Sequence, residues 1–399
     1  MRIAGYRSWQ ERADVVVAQG CNTYSKRNTS YVRGVYETHC VSGFGDSMAL
    51  ADGNKMIDHT CGLGSNILSC NNNFGLPTTS EVVLAEVLCE RFPFVQKWRF
   101  VKTGTAACEA SIRIARAAFK AKNKDVKPIG YGTGYHGCAN VFISAEVPGS
   151  GCVDEGYIKL NGNTELIEAL GKAPKNTVAY VIIEPVSLRI DKSVSDELAK
   201  IRELCTQKEI VLIFDEIITG FRVPLFCVSN YLKIAPDIIL LGKALGNGYP
   251  IAAIGGKAEL MDTEGWFISN THNGELSSIA AALEVVGTIT DDRIQELWRR
   301  GSWFIDSFNK IAPDRIKLRG YPTRAVWVGD KTYIAIFCQE VYRRGILLHP
   351  GAWWITFAHS EATLKMELKI FKELIDNIEV RNIQLAGVEP SPVFERIAK

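Results

Sequence analysis

Two spacings of apolar residues alternate through the middle of the chain. Between about residues 80 and 283, stretches such as 81–89 and 106–119 repeat their apolar positions every three or four residues, the period of a helix lying on a core. Between the later ones come short runs, 179–183, 210–214 and 237–241, that are apolar at almost every position. Runs of that length suit strands buried on both faces, and alternation with helices predicts a mostly parallel sheet covered by helices. Nearer the start, residues 47–58 read as a small hairpin with Ala51-Asp52-Gly53-Asn54 as its turn. After a long helical stretch from about Ser277, residues 332–349 and a final helix over 360–377 form a separate α/β pattern. No repeat, low-complexity block or Pro/Ser-rich linker divides the chain, so the domain limits rest on the elements alone. They give 1–45 as an N-terminal segment of a small domain, 46–285 as a large domain and 286–399 as the rest of the small domain.

Composition narrows the class of protein. A chain of 399 residues, 47% hydrophobic and 23% charged, suffices for about two or three domains around a large core. Its 46 basic and 44 acidic residues are dispersed, which argues against nucleic acid or an anionic membrane as partner. Arg2, Arg7, Arg12 and Asp14 interrupt the first residues, so neither a signal peptide nor a spanning helix is expected there, and the expected location is the cytoplasm. The eleven cysteines show no CxxC or Cys/His ligand spacing. Although Cys61 with Cys70, or Cys138 with Cys152, could be imagined as pairs, reduced packing residues and no metal are expected.

Three of the apolar runs end on ionisable residues, Glu184, Asp215 and Lys243, where an open α/β sheet gathers its functional groups. The run Val211-Leu212-Ile213-Phe214 delivers Asp215 to the mouth of a buried strand, where an uncompensated carboxylate is costly. It either caps a helix or faces a cation, and a protonated pyridine nitrogen is one such cation. Lys243 stands between Ile238-Ile239-Leu240-Leu241-Gly242 and Ala244-Leu245-Gly246-Asn247-Gly248. A lysine in so low a dielectric would shed its proton and become a nucleophile toward an aldehyde, whereas most lysines simply extend to solvent. Lys102-Thr103-Gly104-Thr105-Ala106-Ala107 precedes the 106–119 helix and has the outline of a phosphate cradle, although an ordinary capped helix start would look the same. Gly132-Thr133-Gly134-Tyr135-His136-Gly137 matches GxGxxG, but no clear strand enters it and 138–144 ends in β-like residues, so a dinucleotide site is rejected. Tyr135 and His136 in that loop are suited to stacking on a flat cofactor.

Taken together, these segments resemble class III aminotransferases of pyridoxal-phosphate (PLP) fold type I, in the glutamate-1-semialdehyde aminomutase-like branch. The resemblance runs through 80–86, Gly104-Thr105, Tyr135-His136-Gly137, Ile183-Glu184-Pro185-Val186, 214–222 and 242–250, in the family's order. It implies an α/β fold with a mostly parallel seven-stranded sheet in the large domain and a small α/β domain from both chain ends. It makes Lys243 the lysine that joins the cofactor and the base that moves the substrate proton, and Asp215 the partner of the ring nitrogen. Ile217 would pack on one ring face from the same side of a strand as Asp215, and Tyr135 would stack on the other. Gly104 and Thr105 would take the phosphate, with His136 and Glu184 beside the cofactor. Thr271 would reach the phosphate of a partner subunit, which implies a homodimer.

This chain departs from the family at Ala106, where an acidic residue is common, in a helix missing between Leu68 and Phe74, and in a compact segment over 321–331. The activity implied is an omega-type, ping-pong transfer from an amine or amino-acid donor to an aldehyde or ketone acceptor. A glutamate-1-semialdehyde-type 2,1-aminomutase and a non-catalytic PLP-binding protein stand as alternatives. No arginine is assigned to a substrate carboxylate, and Arg222 serves either the fold or the partner subunit.

Overall fold

The computed structural model describes residues 8–31, 37–146 and 156–387 of the chain, so Cys152 and its imagined pairing lie outside the described residues. Two compact units divide it. The first comprises Met1–Pro185, Asp196–Phe221 and Phe226–Thr290. It begins with α1 (Trp9–Val16), where Ser8 and Glu11 cap each other's backbone groups. Strands β1 (Cys40–Phe44), β2 (Ser47–Leu50) and β3 (Lys55–Ile57) form an antiparallel sheet, in which the expected hairpin turns through 51–54. Helix α2 (Thr79–Arg91), capped by Thr78 and Glu81, leads into β4 (Lys97–Val101) and α3 (Gly104–Lys122). Then follow β5 (Ile129–Thr133), α4 (Asn140–Glu146), β6 (Tyr157–Lys159), α5 (Asn163–Lys172) and β7 (Val178–Ile183). Helix α6 (Lys192–Lys208) precedes β8 (Val211–Asp215), β9 (Ile238–Leu241), β10 (Ala252–Gly256) and α7 (Leu276–Thr288).

Seven of these strands make one sheet in the order β4-β10-β9-β8-β7-β5-β6, with β10 antiparallel to both neighbours and the other pairs parallel. Every residue of β7, β9 and β10 is buried, as their unbroken apolar sequences require of strands covered on both faces. The register pairs Thr133 with Ile183, Ile183 with Phe214, and Asp215 with Leu240. Four strands therefore finish level, and whatever follows them shares one edge of the sheet.

Two expectations are corrected here. A strand, β5, does enter the glycine motif, and 140–146 is helical rather than β-like. Glycines hid the strand: a Cβ on Gly130 would overlap the Tyr180 ring on β7, and one on Gly132 would stand 2.5 Å from the Tyr157 hydroxyl on β6. Cross-strand tyrosines thus occupy the space that side chains on β5 would fill, removing the apolar signal by which strands are recognised. The described part of 1–45 belongs to the first unit, not to the smaller one. Arg99, fully buried on β4, explains why: it donates to the carbonyls of Ala18, Cys21 and Asn22, while Arg12 meets Glu86 at 2.5 Å. A guanidinium in the core needs such acceptors, and the N-terminal segment supplies them.

The second unit comprises Val186–Ser195, Arg222–Leu225 and Asp291–Lys399. Its elements are α8 (Asp291–Ile311), β11 (Ile316–Tyr321), β12 (Arg324–Gly329), α9 (Lys331–Arg343), β13 (Trp353–Trp354) and α10 (Glu361–Arg381). The compact 321–331 segment is the two-residue turn of the β11-β12 hairpin together with β12. Phe371 meets Phe304, Phe308 and Phe337 edge to face, and Phe308 meets Trp327 of β12 in the same way. Arg222 serves this unit's fold: its guanidinium donates to the Ile355 carbonyl at 3.1 Å and lies 5.0 Å over the Trp354 ring. Among the described residues, no helix is long and apolar enough to cross a membrane.

Candidate active site

The level strand ends deliver their successors to one cavity of about 200 Å³ in the first unit, lined by Gly104, Thr105, Tyr135, His136, Gly137, Glu184, Asp215, Ile217, Ile218 and Lys243. At the start of α3, Thr103 is the N-cap: its hydroxyl accepts the Ala106 N–H at 3.1 Å and its carbonyl the Ala107 N–H at 3.0 Å. The N–H groups of Gly104 and Thr105 then remain, since the first N–H groups of a helix have no acceptor within it. With the helix dipole behind them they point outward as a ready anion cradle. The Thr105 hydroxyl accepts the Cys138 N–H at 3.4 Å and lies 4.0 Å from the Cys138 sulfur. Gly137 has a φ of 96°, and a Cβ there would collide with Thr105, so the loop closes on the cradle because that residue is glycine.

Opposite the cradle, Asp215 is 5% exposed at the end of β8. Its Oδ1 accepts the Ile217 N–H at 3.1 Å; its Oδ2 lies 2.8 Å from His136 Nδ1 and 3.3 Å from Cys108 Sγ. His136 Nε2 stands 3.0 Å from the Thr133 carbonyl. A carbonyl can only accept, so Nε2 points a hydrogen at Thr133 while Nδ1 faces Asp215 Oδ2. His136, 2% exposed, lines the cavity and also buttresses Asp215. Tyr135, at 45% exposure, keeps the stacking position open, and its N–H donates to Glu184 Oε2 at 3.0 Å. The same carboxylate lies 2.6 Å from where a Cβ on Gly134 would be, so Glu184 holds the backbone of the loop that carries Tyr135.

Ile217 reaches the pocket from a turn after β8 and not from the strand itself. Its side chain fills the space that Gly104 and Gly242 leave open, with Cδ1 2.8 Å from where a Cβ on Gly104 would stand. Lys243 begins a single 3-10 turn (Lys243–Leu245) at φ 43°, a left-handed conformation rare for a residue with a side chain. Such strain gathers at functional sites, where the surroundings fix one direction for the side chain. Lys243 lines the cavity from this turn, with its side chain exposed toward it. Thr271 does not line this cavity; it sits in a turn whose carbonyl accepts from Asn73 at 3.0 Å. Sequence reasoning missed Cys108, Ile218 and the Thr133 carbonyl. Two larger clefts, of about 490 and 430 Å³, lie near the amino ends of the same strands and are lined by exposed ion-pairing residues such as Lys122 and Glu209. They hold no comparable convergence of buried groups.

Residues 66–350 match the family described as aminotransferase class-III. The chain belongs to that family. Among curated relatives, the glutamate-1-semialdehyde 2,1-aminomutase of Methanothrix thermoacetophila is 32% identical over 378 residues, covering 80% of this chain and 86% of that protein. The enzyme of the same name from Methanococcoides burtonii is 29% identical over 398 residues, with coverage of 84% and 92%. Among solved structures, an omega-transaminase from Sphaerobacter thermophilus aligns with a TM-score of 0.69 at 21% identity, over 95% of this chain and 99% of that one. The fold is thus PLP fold type I, as the sequence motifs implied, with a seven-stranded, mostly parallel sheet.

Class-III aminotransferases are pyridoxal 5'-phosphate enzymes, and PLP is the cofactor of this chain. The residues present fit it. The cradle suits a phosphate dianion, a buried carboxylate with a free acceptor position suits a ring nitrogen, and Lys243 suits an aldehyde.

Proposed function

We propose that this class-III aminotransferase transfers an amino group from an amine or amino-acid donor to an aldehyde or ketone acceptor in two half-reactions. The convergence of Lys243 and Asp215 on one cavity, with Tyr135 and Ile217 between them, carries this reading. When bound, the cofactor supplies an electron sink for the C–H bond that must break beside the migrating nitrogen. Gly104 and Thr105 anchor its phosphate, Asp215 holds its ring nitrogen, and Tyr135 and Ile217 close the two ring faces. The Lys243 amine removes the proton from the substrate carbon and delivers it on the other side of the nitrogen, a transfer that needs a base within hydrogen-bond reach. Glu184 and His136 act through the groups they orient. A small amine or amino acid and a carbonyl compound are the substrates, and no nucleic acid takes part.

The names of the curated relatives favour a second reading, an intramolecular 2,1-amino shift on a substrate such as glutamate-1-semialdehyde. Visible absorbance of the PLP-loaded protein separates the two. A panel containing glutamate, alanine and an aryl amine is expected to bleach the yellow band with at least one donor, which thereby identifies itself. A band that no donor bleaches, alongside conversion of glutamate-1-semialdehyde without net donor consumption, would establish the mutase instead. No yellow band after adding PLP would defeat both.

The working form is a homodimer in which Thr271 serves the partner's cofactor. Phe44, Ile57, Ile67 and Leu68, exposed by 86%, 65%, 94% and 95%, suggest an apolar surface meant for a second copy. Ile67→Asp with Leu68→Asp is expected to give monomers by light scattering. Thr271→Ala is expected to keep the dimer while weakening PLP binding about tenfold, the worth of one charge-assisted hydrogen bond. Full affinity in the Thr271 variant would remove that residue from the site. We place the enzyme in the cytoplasm, where the ten free cysteines of the described residues would stay reduced.

A further inference from the structure

Cys108 lies in the first turns of α3, four residues beyond Gly104, and is fully buried. It belongs to the apolar cluster that includes Ile182, Ile213 and Ile217, where a valine or alanine would pack as well. Yet its sulfur is 3.3 Å from Asp215 Oδ2, closer than ordinary core packing would bring a thiol to a carboxylate. Burial and the Asp215 charge hold this thiol well above its usual pKa, so it remains an S–H donor at any working pH.

Counting acceptor positions shows what the donor does. Each carboxylate oxygen offers about two acceptor directions. Oδ2 already has two side-chain partners, His136 Nδ1 and the Cys108 thiol, and both of its directions are taken; Oδ1 accepts the Ile217 N–H and keeps one direction open. Without the thiol both oxygens would have an open position. The carboxylate would then have two ways to present itself, and Oδ2 would compete with Oδ1 for the ring nitrogen's hydrogen bond.

We propose that Cys108 is a positioning residue: by saturating Oδ2 of Asp215 it leaves Oδ1 as the single oxygen that meets the cofactor's ring nitrogen. The inference rests on the PLP reading of the cavity, but its first test does not need the cofactor. Infrared spectra of the apo protein, taken as wild type minus Cys108→Val, isolate one S–H stretching band, since valine is apolar and lacks the donor. That band is expected to be lowered and broadened as in a thiol bonded to an anion, and to move upward in Asp215→Asn. A band at the free-thiol frequency, or one indifferent to Asp215→Asn, overturns the proposal whatever the enzyme's activity.

The second test reads the consequence. With PLP labelled at the ring nitrogen, the ¹⁵N resonance of the bound ring is expected to shift in Cys108→Val and to return toward wild type in Cys108→Ser, whose hydroxyl restores a donor. PLP affinity should fall about three- to tenfold in the valine variant and stay within about twofold in the serine variant, the scale of one ordinary hydrogen bond felt through Asp215. Equal behaviour of the two variants would mean that Cys108 only fills space. Should the valine variant fail to fold, the Asp215→Asn comparison on the wild-type thiol still decides.

Discussion

Lys243→Ala is expected to lower the rate of amino transfer by at least about 10³-fold while the folded protein still takes up PLP. On the proposed reading the loss combines two functions in one side chain: the nucleophile that joins the cofactor, and the base, whose role alone contributes about 10²–10⁴-fold in such reactions. Little structural damage should accompany it. The lysine is exposed, and the 3-10 turn that fixes its φ of 43° is held by backbone bonds from Leu245 to Gly242 and from Gly246 to Lys243, which alanine leaves in place. Gly104, Thr105 and Asp215 remain to hold the cofactor through its phosphate and ring nitrogen. Single-turnover consumption of the donor measures the first effect, and quenching of protein fluorescence on titration with PLP measures the second. Lys243→Arg, which keeps a cation but offers no free amine, should be as inactive as alanine. Turnover near wild type in either variant would remove Lys243 from the chemistry.

What the sequence disclosed about this site follows from where chemistry sits in an α/β sheet. Asp215 and Lys243 were legible because each directly follows an apolar run, and strand ends are fixed by local pattern. The Gly104-Thr105 cradle was legible for a similar reason, since a helix start is a local event. The function of His136 was not. Its residue type in a glycine-rich loop allowed stacking, but its partner, Asp215, is 79 positions away and its direction is set by the Thr133 carbonyl. Cys108 was hidden further, for it sits on the buried face of an amphipathic helix, where cysteine reads as a small apolar residue, and its contact spans 107 positions.

The fold divides in the same way. Strands β7, β8 and β9 were read correctly because burial on both faces leaves a continuous apolar run. Strand β5 was missed because its neighbours' tyrosines fill the room its own side chains would occupy. The N-terminal segment was assigned to the wrong unit because what draws it to the first is the buried Arg99, whose need for carbonyl acceptors has no signature in the segment itself. In each case the missing information was a long-range requirement of one buried polar or bulky group.

Asp215→Ala should show the largest combined effect on stability and function. In the apo protein it strands three donors, His136, the Cys108 thiol and the Ile217 N–H, around a void where the carboxylate stood. Each buried donor left unmatched costs about 1–3 kcal/mol, so the midpoint of thermal unfolding should fall by several degrees even without PLP. With PLP, the ring nitrogen loses its anionic partner; a buried charged contact removed from one side is worth about 3–5 kcal/mol, or roughly 10²–10³-fold or more in affinity. Amino transfer should fall further still, because a ring nitrogen without that partner does not stay protonated and the electron sink weakens just when the substrate proton leaves. Asp215→Asn separates these contributions. Its oxygen can still accept from His136 or Ile217, so the apo protein should unfold nearer to wild type, yet the charge is gone and transfer should remain depressed. Were Asp215 merely a structural cap for the turn after β8, the asparagine variant would keep both stability and activity; calorimetry and donor half-reaction rates on the two variants distinguish these outcomes.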